Sequence, residues 1–211
     1  MSKGGDSSAV PDAWRQIAER KKTLMGWPEW SEVATLTAGT AVHSRRDDLR
    51  TVAAEIIEAL FQLADEDGTG LVGVRLRLKA WAHRRQRDVT ATLEVVGGRS
   101  FVTISRLDAW PSDPHQNSLK ALKRLGVKEL LGVKELRSTI DGSHVHRFAD
   151  NARYGVEAFG PGPEGNLPVA VALPGNLQSF RDFLRSVMLE FNVEGLGDFP
   201  SPPSWQVILW L

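Results

Sequence analysis

Two histidines that follow a predicted tight turn, His144 and His146, have a type and spacing suited to ligand binding. The preceding Asp141-Gly142 dipeptide is a strong signal for a two-residue β-hairpin turn. In that hairpin Thr139 lies opposite His144. Arg137 lies opposite His146, and the four side chains share one face. The two imidazoles would then ligate a metal ion or, together with Arg137, hold an anion.

A third ligand for such a metal ion is available in His115 or Asp150. The sequence gives no reason to bring either residue close to the hairpin. The alternative is an exposed polar face, which is the commoner role of two histidines on a strand. No metal ligand is therefore assigned from the sequence.

The segment VRLRLKAWAHRRQR is a second candidate site because it is strongly basic. Period-two alternation places its first cationic residues on one face of a strand, together with a tryptophan. Guanidinium groups beside an aromatic ring suit a phosphate backbone and a stacked base. The candidate nucleic-acid-binding residues are Arg75, Arg77, Lys79, Trp81, Arg84, Arg85 and Arg87. The alternative is the solvent face of an antiparallel sheet, where long charged side chains cover the pleat.

The acidic segment ADEDGTG resembles the first half of an EF-hand calcium loop. Asp65, Asp67 and Thr69 occupy its alternate oxygen-ligand positions, and Gly70 the sharp turn. Leu76 stands where that family supplies a closing glutamate. The resemblance therefore implies a weak cation site, and the alternative is a solvated acidic turn between two elements.

Several chemistries are excluded by what the sequence lacks. It contains no cysteine, so disulfides, thiolate zinc sites and a cysteine nucleophile are excluded. It also lacks a Walker loop, a G-x-G-x-x-G fingerprint, a G-x-S-x-G elbow and an H-E-x-x-H motif. No cofactor and no catalytic residue are therefore predicted, and the balance is against an enzyme.

Composition predicts one large core in a chain of 211 residues, 42% of them hydrophobic. The sequence contains neither an apolar run long enough for a membrane span nor an apolar signal segment, so a cytoplasmic location is expected. The 26 basic and 26 acidic residues balance, but residues 71–110 carry eight bases against three acids, which predicts one basic face. Arginine outnumbers lysine, which favours a GC-rich bacterial or phage origin.

The N-terminal part is predicted to be an arm on the main domain. Residues 1–10 are small and polar, which indicates a disordered tail. Pro11 begins a helical pattern that ends before Gly26. Trp27 and Trp30 then lie in an irregular stretch. They are candidate partner-binding residues, although packing within the chain is favoured because large aromatic side chains are usually buried.

A long amphipathic helix is predicted next, from an N-cap at Ser44 through Leu63. Three strands with alternating polarity follow it: LVGVRLRLKAWA, DVTATLEVV and SFVTISRL. Polar or glycine-containing turns separate them. The three strands predict an antiparallel meander against which the helix packs.

The C-terminal half is predicted to add helices and strands. A helix begins at Asp113-Pro114 and reaches the duplicated hexapeptide LGVKELLGVKEL, in which each glycine-valine pair stops a helical segment. Two strands, RYGVEAF and LPVAVAL, flank a glycine-proline loop. A further helix covers Leu177–Phe191. The apolar strand from Trp205 to Leu211 is expected to be paired in the sheet or covered by a partner.

These patterns predict an α+β fold, an antiparallel sheet packed against two to three amphipathic helices. The predicted divisions are a tail (1–10), a helix with a Trp-bearing arm (11–46) and a single domain (47–211). The leading functional prediction is a non-catalytic interaction or adaptor module whose partner is another protein or a second copy. Nucleic-acid binding through residues 75–87 is the alternative. An enzyme or metal-binding protein that uses Arg137, His144 and His146 ranks third.

Overall fold

The computed structural model describes residues 9–33, 56–117, 139–160 and 167–206. It contains a mostly antiparallel sheet packed against helices, which confirms the predicted α+β fold. The strands are β1 (Lys22–Leu24), β2 (Ser31–Glu32), β3 (Ile56–Ala64), β4 (Gly70–Trp81), β5 (Val89–Gly97), β6 (Ser100–Ala109), β7 (His115–Gln116), β8 (Thr139–Ile140), β9 (His144–His146), β10 (Val171–Ala172) and β11 (Val193–Glu194). The α-helices are α1 (Asp12–Glu19), α2 (Phe148–Ala152) and α3 (Phe180–Phe191), and 3-10 helices cover Val156–Phe159 and Pro203–Trp205.

The main sheet has the strand order β10-β9-β6-β5-β4-β3-β1-β11, and β2 also pairs with β3. Among the described strands, β1 and β11 run parallel and the other neighbours antiparallel. A separate two-stranded sheet joins β7 to β8. The three strands predicted as a meander are β4, β5 and β6, so that prediction is confirmed.

Period-two alternation gives this sheet one apolar and one polar face. In β4, Leu76 and Leu78 are fully buried in the core, while Arg75, Arg77 and Lys79 lie on the opposite face. β5 repeats the pattern. The apolar face packs against the helices in one continuous hydrophobic cluster.

Helix α3 contributes most to that cluster from the helical layer. Its buried residues are Phe183, Leu184, Val187 and Phe191. The helix begins three residues later than predicted because Ser179 is its N-cap. The Ser179 hydroxyl oxygen accepts the Asp182 N–H at 3.1 Å and donates to its carboxylate at 2.8 Å. Asn192, in the left-handed conformation, ends the helix.

The long helix predicted from Ser44 to Leu63 is wrong over its described part, since Ile56–Ala64 is strand β3. Ile57, Phe61 and Leu63 are buried at alternate positions, so the apolar residues there fit period two as well as period 3.6. Pairing with β4 along most of the strand decides between the two periods. Residues 44–55 lie outside the described residues.

This correction also removes the helix that would enter an EF-hand. The acidic segment is instead the turn between β3 and β4. Asp65 accepts the backbone N–H groups of Asp67 and Thr69 at 3.1 and 2.9 Å, as in an Asx turn. Its Oδ1 oxygen is therefore engaged within the turn.

Other predicted elements of the C-terminal half also differ. Most of RYGVEAF is a 3-10 helix that follows Gly155, whose φ is 84°, and within LPVAVAL only Val171–Ala172 forms a strand. His115–Gln116 is a strand where a helix was predicted to begin. The duplicated hexapeptide and residues 207–211 lie outside the described residues, and Trp205 is buried at the end of a 3-10 helix.

The Trp-bearing arm packs on the chain's own C-terminal segment. Trp27 lies edge-on to Phe199, and its indole N–H donates to the Gly195 carbonyl at 3.3 Å. Trp30 contacts Phe199 and donates to the Pro200 carbonyl at 3.0 Å. The favoured prediction of intramolecular packing is confirmed. Within the described segments, none of the helices has the length and apolar composition needed to span a membrane.

A fully buried lysine joins α1 to the sheet. The Lys22 ammonium donates to the carbonyls of Ile17 at 2.8 Å, Arg20 at 2.5 Å and Ala18 at 3.5 Å, at the C-terminal end of the helix. Burial, reinforced by Arg20, lowers the pKa of Lys22 to about 8. The ammonium thus takes the place of backbone donors that the helix end lacks.

We expect Lys22→Met to lower the free energy of unfolding by about 2 kcal/mol, because it leaves these buried carbonyls without a donor. Lys21→Met is the matched control, since the neighbouring Lys21 is exposed and pairs with Glu194 on the surface. Urea denaturation at pH 7 measures both variants. Equal, small effects would show that the buried ammonium does not stabilise the helix end.

Candidate metal centre

The polar face of the sheet carries two parallel rows of side chains across β4, β5, β6 and β9. One row consists of Lys79, Thr90, Asp108 and His144, and the other of Arg77, Thr92, Arg106 and His146. Each residue is the direct Cα partner of the next in its row. Neighbouring strands lie about 4.8 Å apart, so adjacent side chains in a row are within contact.

The predicted pairing of the histidines is wrong, although both do lie on one face. β9 pairs with β6 and β10, whereas Thr139 on β8 pairs with Gln116. The turn at Asp141-Gly142 therefore joins two different sheets instead of closing a hairpin. β6, with ten residues, offers β9 a longer partner than the two-residue β8 would. Arg137 lies outside the described residues.

The same topology brings His115 to the cluster, although no sequence pattern predicts that proximity. β7 lies beside β8, and this places the His115 ring centroid 4.9 Å from that of His144 and 4.7 Å from that of His146. Asp150, the other residue considered as a ligand, instead pairs with Arg153 at 3.6 Å. The three histidines are thus the group that the fold assembles.

The protonated nitrogen of His115 is determined by Asn117. The Asn117 side chain donates to the Ala170 carbonyl and accepts the Ala170 N–H through Oδ1, at 2.9 and 2.8 Å. Its Oδ1 oxygen is therefore an acceptor, and the contact at 3.0 Å requires His115 Nε2 to donate. Nδ1 of His115 keeps the free lone pair.

The other two rings have the opposite arrangement. Nδ1 of His144 donates to the Gly142 carbonyl at 2.9 Å, and Nδ1 of His146 donates to the Leu167 carbonyl at 2.5 Å. In both rings Nε2 is left to face the cluster. Hydrogen bonds from one ring nitrogen to carbonyl or amide oxygens are the usual way in which proteins orient metal-binding imidazoles.

Asp108 and Arg106 complete the cluster. Asp108 Oδ2 lies 3.3 Å from Nε2 of both His144 and His146. Arg106 donates to Asp108 Oδ2 at 2.8 Å and to His146 Nε2 at 2.7 Å. The Thr90 hydroxyl donates to the other carboxylate oxygen at 3.1 Å. The guanidinium is therefore the cation that compensates the carboxylate and the unprotonated ring nitrogen.

Burial and charge shift the titration of these groups. Burial acts to raise the pKa of Asp108, but its contacts with the His144 and His146 rings and the Arg106 charge hold it well below its usual range. Burial is also the largest cause that lowers the pKa of His146, to about 4, against the contact with the Asp108 carboxylate. Burial lowers the pKa of His115 as well. At neutral pH the cluster thus has one carboxylate and at least two neutral imidazoles, the forms that bind metal ions.

The spacing of the donor atoms is close to that of a metal site. One donor nitrogen from each of the three histidines lies within 4.8 Å of the others. Bonds of about 2.0–2.1 Å around a tetrahedral ion separate ligand atoms by about 3.4 Å. The 3.3 Å distances from Asp108 to His144 and His146 already match that separation.

Two connected grooves, of about 370 and 250 Å³, run along the polar face. They share Asp88, Thr90, Arg106 and Asp108 in their walls. The smaller groove reaches His115 and His144, and the larger extends past Lys79 to Trp81. An ion held by the histidines would therefore be accessible to a small molecule in the groove.

Two residues with left-handed backbone lie at or next to the wall of the smaller groove. Asp88 lines it with φ 50°, Trp110 has φ 48° between the lining residues Ala109 and Pro111, and the Asp88 N–H donates to the Trp110 carbonyl at 3.0 Å. The Asp88 carboxylate accepts from Ser112, and the Trp110 indole donates to the Leu177 carbonyl. A bulky residue in this conformation is uncommon, and such strain is enriched at functional sites.

Most side chains of the predicted basic site already have partners on the polar face. Arg75 and Arg77 both pair with the buried Glu94, and Arg75 also stacks on the Phe101 ring at 3.7 Å. Arg84 lies over the Trp81 ring, Arg87 bonds to Ser112, and Arg85 is exposed. These residues do not form one continuous row of free cations.

Sequence reasoning did not select Arg106, Asp108 or Asn117. A signal for the first two was present in SFVTISRLDA, where period-two alternation puts Arg106 and Asp108 on the same face as the arginines of β4. A charged pair on an interior strand of a sheet is a candidate for a buried hydrogen-bond network. Asn117 follows His115 by two residues, but its role depends on contact with Ala170, which is distant in sequence.

The low pKa of His146 predicts how stability depends on pH. Between about pH 6.5 and 4 the unfolded chain binds a proton at this histidine while the folded chain does not. The free energy of unfolding therefore decreases as the pH is lowered, by up to about 3 kcal/mol in total. Denaturation of metal-free protein at several pH values measures the slope. His146→Gln should make it shallower, and His83→Gln, at an exposed position, is the control. The same slope in both variants would contradict the burial of a neutral His146.

Comparison of the chain with protein-family models, with curated proteins and with solved structures gave no match. The function is accordingly inferred from the atoms of the site, which are three imidazoles, a carboxylate and a guanidinium on the polar face beside a groove.

Proposed function

We propose that this protein binds a divalent transition-metal ion through His115, His144, His146 and Asp108, and that the ion acts as a Lewis acid on a small molecule in the adjoining groove. One observation carries the proposal. Each of the three imidazoles has one nitrogen engaged by a carbonyl or amide oxygen, and one nitrogen of each ring lies within 4.8 Å of a nitrogen of the other two.

Three nitrogens and one oxygen define the class of ion. Imidazole suits Zn²⁺, Fe²⁺, Ni²⁺ and Cu²⁺, and one carboxylate adds affinity for harder ions such as Mn²⁺. Four protein ligands leave one or two positions open on a five- or six-coordinate ion. Those positions would face the groove, because His115 and His144 line it. A water or substrate oxygen bound there would be polarised by the ion.

Arg106 would compete with the metal ion for its ligand atoms. Without a metal ion it bridges Asp108 Oδ2 and His146 Nε2, the atoms that the ion would bind. A divalent ion and the guanidinium cannot share the His146 lone pair, so metal binding displaces Arg106 from His146. The freed guanidinium lines the groove and is suited to contact an anionic group of a substrate.

The alternative proposals have weaker support. An interaction module using Trp27 and Trp30 is supported by the partial exposure of Trp27, although both indoles already pack on the C-terminal segment. Nucleic-acid binding through residues 75–87 is supported by the exposed arginines of the turn. It is weakened because Arg75 and Arg77 already compensate the buried Glu94.

Isothermal titration of chelator-treated protein with Zn²⁺ tests metal binding. We expect one site per chain, and His144→Ala should weaken the affinity by roughly 100-fold or more because a ligand is lost. Arg106→Gln should tighten it about tenfold, since a competing cation is removed from His146. The matched control is His83→Ala, which removes an imidazole outside the cluster.

Co²⁺ provides a second readout for the same variants. The wild-type protein should give the weak visible absorption of five- or six-coordinate Co²⁺, and His144→Ala should lose it. Zn²⁺ affinity that is equal in wild type and His144→Ala, or weaker in Arg106→Gln than in wild type, would overturn the proposed centre.

A further inference from the structure

We propose that the end of the groove at Lys79 binds an anionic group of the substrate, a carboxylate or phosphate on an apolar body, about 10 Å from the metal centre. This inference rests on the proposed function, because it identifies the substrate class of the same groove. It depends on three observations: the absence of an ion pair to Lys79 among the described residues, its apolar neighbours and the register of the sheet.

Lys79 is the groove cation that has no partner in the described part of the chain. Arg77 pairs with Glu94, and Arg106 pairs with Asp108. The described residues contain no hydrogen bond or ion pair to the Lys79 ammonium, although Glu58, its Cα partner on β3, and Glu94 both act on it through space. The side chain is half-buried, and this burial lowers its pKa. A bound anion would stabilise the charged form of Lys79, which burial disfavours.

Glu94 and Asp108 are prevented from filling this role by their own contacts. The Thr92 hydroxyl and both arginines of β4 hold Glu94, and Thr90 together with Arg106 holds Asp108. Glu58, the Cα partner of Lys79 on β3, acts on it through space but forms no ion pair with it in the described part of the chain. The ammonium keeps its donors available to a ligand in the groove.

The surroundings of Lys79 define the rest of the ligand. Ile56, Ala80 and Trp81 line the same end of the groove, and Ile56 is the direct Cα partner of Trp81. An aromatic ring beside a cation accommodates a flat or apolar group that carries an anion. The site therefore favours an organic anion over an inorganic ion.

The register sets the distance between the two ends of the substrate. Lys79, Thr90, Asp108 and His144 are successive Cα partners on four adjacent strands. With strands about 4.8 Å apart, Lys79 lies roughly 10 Å from Asp108 and roughly 14 Å from His144. A molecule that contacts both the metal ion and Lys79 must place its anionic group about 10 Å from its reacting group.

Backbone amide NMR titration of metal-free protein with phenyl phosphate and with benzoate tests the inference. We expect saturable shifts at Lys79, Trp81 and Thr90 with at least one probe, and the stronger of the two identifies the anionic group as phosphate or carboxylate. Lys79→Met should weaken that binding about tenfold or more, because a charge-assisted contact is lost. Lys79→Arg should retain most of it, and Lys21→Met, which removes a lysine outside the groove, should match wild type.

The two proposals fail separately in this experiment. The titration uses metal-free protein and is repeated with His144→Ala, so an absent metal site does not affect it. Unsaturable shifts with both probes, or equal affinities in wild type and Lys79→Met, would contradict anion binding while leaving the Zn²⁺ result unchanged. Saturable binding that depends on Lys79 in a protein that fails to bind Zn²⁺ would support the anion site alone.

Discussion

The pairing of β6 with β9 is the constraint on which the site depends. It sets Arg106 opposite His146 and Asp108 opposite His144, so a cation, a carboxylate and two imidazoles meet on one face. Because side chains alternate along a strand, a shift of β9 by one residue would turn both histidines into the apolar core. Val145 and Leu107, which face the core between them, are fully buried and hold the register. The hydrophobic side of the sheet thereby determines the geometry of its polar side.

A short backbone segment fixes the orientation of the imidazoles. The Leu167 carbonyl accepts from His146, and Ala170 orients the Asn117 side chain that in turn orients His115. Asn151, itself buried, bonds to both backbone groups of Val169 and anchors the segment from the other side. The lone pairs that face the cluster are consequently determined by backbone groups, which cannot rotate away as side chains can. A cluster held in this way is arranged for a ligand before the ligand arrives.

Glu94 and Asp108, two acids of the polar face, are each paired with cations. Glu94 is buried between two arginines of β4, and Asp108 lies between Arg106 and the histidines. Burying an unpaired charge is costly, so each such acid requires these partners. Lys79, in the row that ends at His144, forms no ion pair with the described residues, although Glu58 lies opposite it on β3. Glu94 and Asp108 are therefore compensated, while the ammonium in the groove keeps its donors for a ligand.

The sequence predicted the elements whose period was unambiguous. β4, β5, β6 and α3 have long alternating or helical patterns, and the structure contains them. The segment Ile56–Ala64 satisfied both periods, and only pairing with β4 decides between them. The two histidines of β9 were selected as a candidate site, but their neighbours were wrong because the Asp141-Gly142 turn does not close a hairpin. His115 and Asn117 join the site through contacts between distant parts of the chain, which local patterns do not encode.

X-ray absorption at the zinc edge of the metal-loaded protein tests the central claim most directly, because it counts imidazole ligands around the ion. The account predicts a first shell with three imidazole nitrogens and at least one oxygen, and the loss of one imidazole in His115→Ala. A shell with a single imidazole, or the same number of imidazoles in wild type and His115→Ala, would contradict it.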